Sequence, residues 1–403
     1  MTLEIFIAIL VGCLFGIVTG LIPGIHINLV SLIVLSFSVL LLEITSPLII
    51  SVFIISMAIT HTFLDTIPSI FLGAPEAETA LSVLPGHKML LEGKGYEAVM
   101  LTLIGSFFAL IITIVLAFPI GALIEQIYPY LQKFMAYILI AASVFLIHRE
   151  KKGKMFLWPL IIFLLAGVLG IATLNLPNLE NPLFPLLSGL FGTSTLIISL
   201  SDKTKIPLQK ISFPKIKKLE LTKTMGSSIV AGSLCSFLPG LGPAQAAILG
   251  SEFYKKITNE GFLILIGGLN TINMVLSLIA LFLLDKARNG AIVAVSKIMD
   301  VVTFQDTLIF LASALIAGGI AVFLTINITK VFSKLFSKIN YRKLVVSIIL
   351  LIILMVFFLS SNFLGLLILT VSTFTGILPA KLGIGRNHLM GCLLLPVILY
   401  FLL

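Results

Sequence analysis

Of 403 residues, 59% are hydrophobic and only 11% charged, with a mean hydropathy of +1.20, which leaves too little polar surface to cover a soluble globule of this length. The formal net charge of +9 is gathered in short blocks between apolar stretches, a distribution that follows membrane topology and excludes a nucleic-acid surface. Cys13, Cys235 and Cys392 stand singly in apolar sequence, so disulfide frameworks and thiolate metal clusters are excluded as well.

Apolar stretches of about 18 to 25 residues, the length that crosses a bilayer, recur from Leu3 to Leu403. The first lacks a basic n-region and a small-residue cleavage site, so it reads as a retained helix and not a signal peptide. The pattern predicts helices over 3–21, 25–42, 47–72, 97–118, 133–148, 155–173 and 183–200. The polar segment 201–224 follows, carrying Lys203, Lys205, Lys210, Lys215, Lys217, Lys218 and Lys223, and is expected to be a basic cytoplasmic linker. Further helices are predicted over 226–239, 241–254, 261–284, 303–329, 343–360, 362–380 and 388–403. The expected fold is therefore an all-α polytopic membrane protein of two transmembrane repeats, 1–200 and 225–403, with about seven membrane segments each.

The two halves resemble one another. Gly-Leu-Ile-Pro-Gly at 20–24 aligns with Ser-Phe-Leu-Pro-Gly at 236–240 at an offset of 216. At an offset of 209, His61 meets Asn270, Thr62 meets Thr271, Lys88 meets Lys297 and Glu97 meets Asp306. At 202, Leu-Ser-Gly-Leu at 187–190 meets Leu-Met-Gly-Cys at 389–392. An odd number of segments per half makes the second copy start from the opposite side, which predicts an inverted-topology repeat. With both termini outside the cell membrane, 22 of the 26 Lys and Arg fall in inside loops, and only Lys133, Lys286, Arg288 and Lys297 fall outside.

Pro23-Gly24 and Pro239-Gly240 each interrupt apolar sequence with no charge nearby. Proline removes a backbone donor and glycine frees the backbone, so one helix stops and another starts within a few residues, giving a broken or re-entrant hairpin. Backbone opened in this way has to be buried in protein or line a polar cavity. The next helix begins with free amides and its positive end, a receptor for a carboxylate or phosphate. Small or polar residues follow each break: His26 and Asn28 in the first half, Gly242 and Gln245 in the second. Pro23, Gly24, His26, Asn28, Pro239, Gly240, Gly242 and Gln245 are thus the candidate substrate-binding residues. A tight hairpin at the membrane interface is the plainer alternative.

A second constellation lies in 60–79. Asp65 and His61 are four residues apart, on one face of a helix too apolar to reach water. Ionisable groups at that depth are costly and mark ion or proton pathways. Asn270, Thr271 and Asn273 are the counterpart in the second half, so His61, Thr62, Asp65, Asn270, Thr271 and Asn273 are candidates for binding a coupling ion or relaying a proton. A buried structural hydrogen bond is the alternative for His61 and Asp65, and Glu76 and Glu78 fit a solvated loop as well as a pathway. No cofactor is expected beyond a coupling ion such as sodium.

The run Pro-Ser-Ile-Phe-Leu-Gly-Ala-Pro-Glu-Ala-Glu-Thr-Ala-Leu-Ser-Val-Leu-Pro-Gly-His-Lys-Met at 68–89, with Gly93, Lys94, Gly95 and Glu97-Ala98 after it, resembles the signature of the TctA permeases. Leu-Pro-Gly-Leu-Gly-Pro-Ala at 238–244 and Asn-Pro-Leu-Phe-Pro-Leu-Leu-Ser-Gly-Leu-Phe-Gly at 181–192 are similar to that family too. TctA is the large membrane subunit of tripartite tricarboxylate transporters. The resemblance implies ion-driven secondary uptake of small carboxylates, with a small membrane subunit and an extracytoplasmic solute-binding protein as partners beside membrane lipid. His87-Lys88 departs from an aromatic-proline pair of the family, and Ile-His-Ile-Asn follows the first Pro-Gly in place of a glycine-rich run. The length is that of compact archaeal relatives, in which the partner subunits can be absent, and a homodimer is a further expectation.

On the residues alone, the same amide-rich helix starts would also serve a translocase for a lipid-linked phosphate. Enzymatic function is not expected: there is no His-Glu-x-x-His, no Gly-x-Ser-x-Gly and no paired aspartate motif, and no nucleotide-binding loop.

Overall fold

The computed structural model describes the chain except residues 1, 23–26, 74–80, 82, 150–156, 178, 180–181, 202–206, 238–241, 255–256, 288, 337–340 and 361–362, and except a few helix side chains, that of Gln245 among them. Every regular element among the described residues is helical. Sequence this apolar leaves little choice, since in lipid each backbone N–H and C=O has to be satisfied within its own segment.

The first half contains α1 (Thr2–Leu21), α2 (Ile27–Ser36), α3 (Ser38–Leu42), α4 (Pro47–Leu64), α5 (Thr66–Phe71), α6 (Val83–Leu91), α7 (Gly95–Arg149), α8 (Leu157–Leu174), α9 (Leu183–Leu187), a π turn (Ser188–Thr193) and α10 (Ser194–Ser201). The second contains α11 (Lys218–Phe237), α12 (Pro243–Phe253), α13 (Asn259–Leu284), α14 (Gly290–Met299), α15 (Phe304–Phe336), α16 (Tyr341–Leu359), α17 (Phe363–Leu382), a 3-10 turn (Arg386–Met390) and α18 (Gly391–Leu402). Among the described residues, seven stretches are long and apolar enough to cross a membrane, within α1, α4–α5, α7, α8, α13, α15 and α17, and shorter apolar helices accompany them. The protein is a multi-pass membrane protein.

Several segments differ from the sequence expectation. The predicted helix 25–42 is α2 and α3, ten and five residues, and the predicted 241–254 is the eleven-residue α12. α2 and α3 follow one another through Phe37, whose amide bonds to Ile33 and whose carbonyl accepts from Leu41, whereas α12 at 1.5 Å per residue reaches about 16 Å, half of a hydrocarbon core. The predicted pair 97–118 and 133–148 is one 55-residue helix, α7, with Pro119 and Pro129 inside it where a loop was expected. The good helix formers Glu125, Gln126, Leu131 and Gln132 around the prolines carry the helical pattern through. Its length is roughly 80 Å, well over a bilayer, so its two ends serve different parts of the core. Finally, α6 and α14 form inside predicted loops, and α11 starts within the predicted linker.

Offsets between elements repeat those of the motifs. α1 and α11 are offset by 216 residues at both ends, and α2 and α12 start at the same offset. Contacts repeat as well, and they cross the halves. Gly189 of the π turn lies against the Leu369 carbonyl of α17, while Gly391 of α18 lies against the Phe163 carbonyl of α8. Gly170 of α8 faces the Cys392 carbonyl, and Gly376 of α17 faces the Leu190 carbonyl. Gly189 with Gly391, and Leu190 with Cys392, are each offset by 202, so the same surfaces meet twice with the partners exchanged. α7 and α13 approach closely as well: a Cβ on Gly105 would collide with the Ile264 carbonyl oxygen, and one on Gly267 with that of Thr102. Such small-residue contacts hold helices together where lipid removes the hydrophobic drive.

Both principal core clusters draw on residues before and after the linker. One joins α1, α4, the first part of α7, α13, α14 and α15; the other joins the last part of α7 to α8, the π turn, α11, α12 and α18. All three cysteines are buried. The described part of the linker is docked on the turn between α6 and α7. Gln209 accepts from the Gly95 amide at 2.8 Å and donates to the Leu90 carbonyl at 3.0 Å. The Lys210 amide donates to the Gly93 carbonyl at 2.9 Å, and Ser212 to Glu97 at 2.6 Å.

Candidate functional site

α4 and α13 are the most buried spans and touch one another. Pro68 lacks the N–H that would bond to Leu64, so the helix is interrupted at Asp65, between α4 and α5. The Asp65 side chain, 1% exposed, accepts from Asn270 Nδ2 of α13 at 2.6 Å. His61 Nε2 stands 4.0 Å from the same carboxylate oxygen. One turn away, the Thr62 and Thr271 hydroxyls meet at 3.4 Å. These two are partners in the sequence alignment of the halves.

A pocket of ≈ 360 Å³, including its open mouth, adjoins this cluster. Its polar lining is Asn28 of α2, His61 and Thr62 of α4, Asn270 and Asn273 of α13, and Asn289 at the start of α14. Each element has a local reason to be there. Asn289 caps α14 by accepting from the Ile292 amide at 2.9 Å, and Gly290 lets that cap sit against Asn28. Asn273 accepts from the Cys235 thiol of α11 at 3.7 Å. Thr66 and Thr102 join α5 to α7 at 3.1 Å behind Asp65.

Of the residues proposed for the coupling ion, His61, Thr62, Asn270 and Asn273 line one pocket, with Asp65 and Thr271 bonded to members of it. Of those proposed for substrate, Asn28 lines the same pocket. Gly242 opens α12, its carbonyl accepting from the Ala246 amide at 3.0 Å. Pro23, Gly24, His26, Pro239, Gly240 and the Gln245 side chain lie outside the described residues, as do Glu76 and Glu78. Sequence reasoning missed Asn289, although an Asn-Gly pair opening an apolar run is a helix-start signal. It missed Thr102, which carries no pattern of its own.

Among the described residues no three His, Cys, Asp or Glu side chains gather as a transition-metal site. Beside the His61 imidazole, the donors near Asp65 are one carboxylate, hydroxyls and amides, and their oxygens are the hard ligands of an alkali cation.

The chain matches the family described as "Tripartite tricarboxylate transporter TctA family" over residues 6–391. The chain belongs to the TctA family. This TctA member is 31% identical over 405 residues to "Uncharacterized protein MJ1079" of Methanocaldococcus jannaschii, with 98% of each chain covered. No solved structure matches it. It is thus of a transporter type that works with further subunits, and membership of a transporter family argues against an enzyme.

The described part of the run at 68–89 adjoins the site. Ser69 donates to the Asp65 carbonyl at 3.0 Å, and Gly86 packs on Ile70. His87 is buried with Nδ1 3.3 Å from the Ile70 carbonyl. Burial pushes its pKa below the usual histidine value, and the Ile70 contact offsets this in part.

Proposed function

We propose that the chain is the permease of a secondary active transporter for small organic anions, di- or tricarboxylates, driven by a sodium or proton gradient. The observation that carries this reading is the Asp65 carboxylate, buried between two spans and bonded to Asn270, in a member of a transporter family. A charge at that depth costs several kcal/mol and is retained for function. Asp65, with Thr62, Thr271, Asn270 and Asn273 around it, binds a sodium ion, or Asp65 and His61 share the coupled proton.

The anion sits between the helix starts that follow Pro23-Gly24 and Pro239-Gly240. The half-membrane length of α12 supports a re-entrant segment, and in this reading the positive ends of α2 and α12 point inward. The repeated offsets and exchanged contacts support two related repeats; with the inverted arrangement and outside termini that the loop charges favour, alternating access follows when the halves exchange conformations. The tripartite family name supports a small membrane subunit and an extracytoplasmic solute-binding protein as partners.

The test is uptake of radiolabelled di- and tricarboxylates into proteoliposomes under imposed sodium or proton gradients. Gradient-dependent accumulation supports the reading, and its absence for every organic anion tried overturns it.

A further inference from the structure

Arg386 opens the 3-10 turn between α17 and α18, and in the sequence it counts as one more inside-loop charge. The structure buries it, with 8% of its surface exposed. Nη1 donates to Thr195 Oγ1 and, at 3.5 Å, to Ser194 Oγ. Both hydroxyls give their own protons to helix carbonyls, Ser194 to Leu190 at 2.7 Å and Thr195 to Phe191 at 2.5 Å, so both are fixed as acceptors. A guanidinium has five N–H donors, two of them on Nη1. The three on Nε and Nη2 have no acceptor among the described residues, and no carboxylate there forms an ion pair with Arg386. Burial lowers the guanidinium pKa to about 10, so it remains a cation at neutral pH.

The surroundings are as polar as they are buried. The π turn that precedes Ser194 packs on α17, with Thr193 and Thr373 hydroxyls 2.5 Å apart. The Ser188 and Ser372 hydroxyls beside them are buried and have no partner among the described residues. π turns inside helices concentrate at functional sites, because they widen the helix and expose groups that an α-helix would cover.

We propose that Arg386, oriented by Ser194 and Thr195, is a receptor for an oxyanion. The Nε–Nη2 edge is a planar fork whose spacing matches two oxygens of one group, as a point charge on a lysine would not. Two sources supply that chemistry: the carboxylate of a small organic acid, or the phosphate diester of an anionic lipid. The site lies outside the pocket at Asp65 and does not rest on the transport reading.

The test uses the full chain in nanodiscs of zwitterionic lipid alone or with phosphatidylglycerol. The denaturation midpoint is titrated with citrate and succinate, and native mass spectrometry counts retained phosphatidylglycerol. Either ligand should bind saturably to the wild type and at least tenfold more weakly to Arg386→Gln and Arg386→Lys. Lys381→Gln, which removes an exposed cation nearby, should bind like the wild type. Acid binding in the zwitterionic discs identifies the free carboxylate as ligand, and phosphatidylglycerol retention alone identifies the lipid. Should the arginine variants not fold, Thr195→Val and Ser194→Ala keep the charge, remove its orientation and should weaken binding severalfold. No anion dependence in the wild type, or equal affinity in wild type and variants, overturns the proposal.

Discussion

Asp65→Asn changes the central site least in shape and most in charge. Asparagine still offers an oxygen to the Asn270 amide, so the 2.6 Å contact survives as a neutral bond. A charge-assisted bond contributes roughly 1.5–3 kcal/mol and a neutral one about 0.5–1.5, a loss of about 1 kcal/mol. Removing a buried carboxylate also removes its desolvation penalty, several kcal/mol in an apolar interior. The variant should therefore melt at or above the wild-type temperature. Ion coupling should respond in the opposite sense. Two unit charges about 4 Å apart, near the 4.0 Å that separates His61 from Asp65, attract by about 4 kcal/mol at an effective dielectric of 20. That is nearly a thousandfold in affinity for a cation or proton held by the carboxylate. The assay pairs melting in detergent, followed by intrinsic fluorescence, with the sodium and pH dependence of uptake in proteoliposomes. A stable Asp65→Asn protein with wild-type ion dependence would refute the reasoning, because Asp65 would then be a structural acceptor only.

Other perturbations test the fold and its surroundings. Gly105→Ala and Gly267→Ala push a methyl group into facing carbonyls and should each cost about 1–3 kcal/mol by thermal unfolding, whereas Gly226→Ala, with open space at its Cβ, should be neutral or better. His87 has its pKa depressed by burial, so it stays neutral in the fold at a pH where the unfolded chain is protonated. Its contribution is complete above about pH 6.5 and is lost as pH falls below that value. His87→Gln should thus lose less of its melting temperature than the wild type between pH 7.5 and 5.5. Gln209→Ala removes two contacts from the docked linker, about 2 kcal/mol in sum, and should speed limited trypsin cleavage at Lys210, Lys215 and Lys217 at least tenfold. Gly24→Leu or Gly240→Leu should abolish uptake while leaving membrane insertion intact; undiminished uptake would show that the breaks are plain hairpins.

Membrane class, most helices and the Asp65 cluster are legible in the sequence because lipid imposes long apolar runs, against which a buried His, Asp or Asn stands out. The contact between Thr62 and Thr271 is legible for the same reason, through the offset of 209. Helix continuity is not. Pro119 and Pro129 read as loop signals, yet α7 runs through them, since neighbouring helices can satisfy the groups that proline frees. Arg386 was hidden by the charge rule itself, which assigns every cation near a helix end to water. Gln209 and Ser212 carry no periodicity that separates a docked strap from a free linker.

The most direct test of the central claim is substrate-evoked charge movement by the purified chain on solid-supported membranes. The account predicts that a di- or tricarboxylate jump evokes a current in the wild type that depends on sodium or pH, and that Asp65→Asn abolishes it. A current of unchanged size and ion dependence in Asp65→Asn would contradict it.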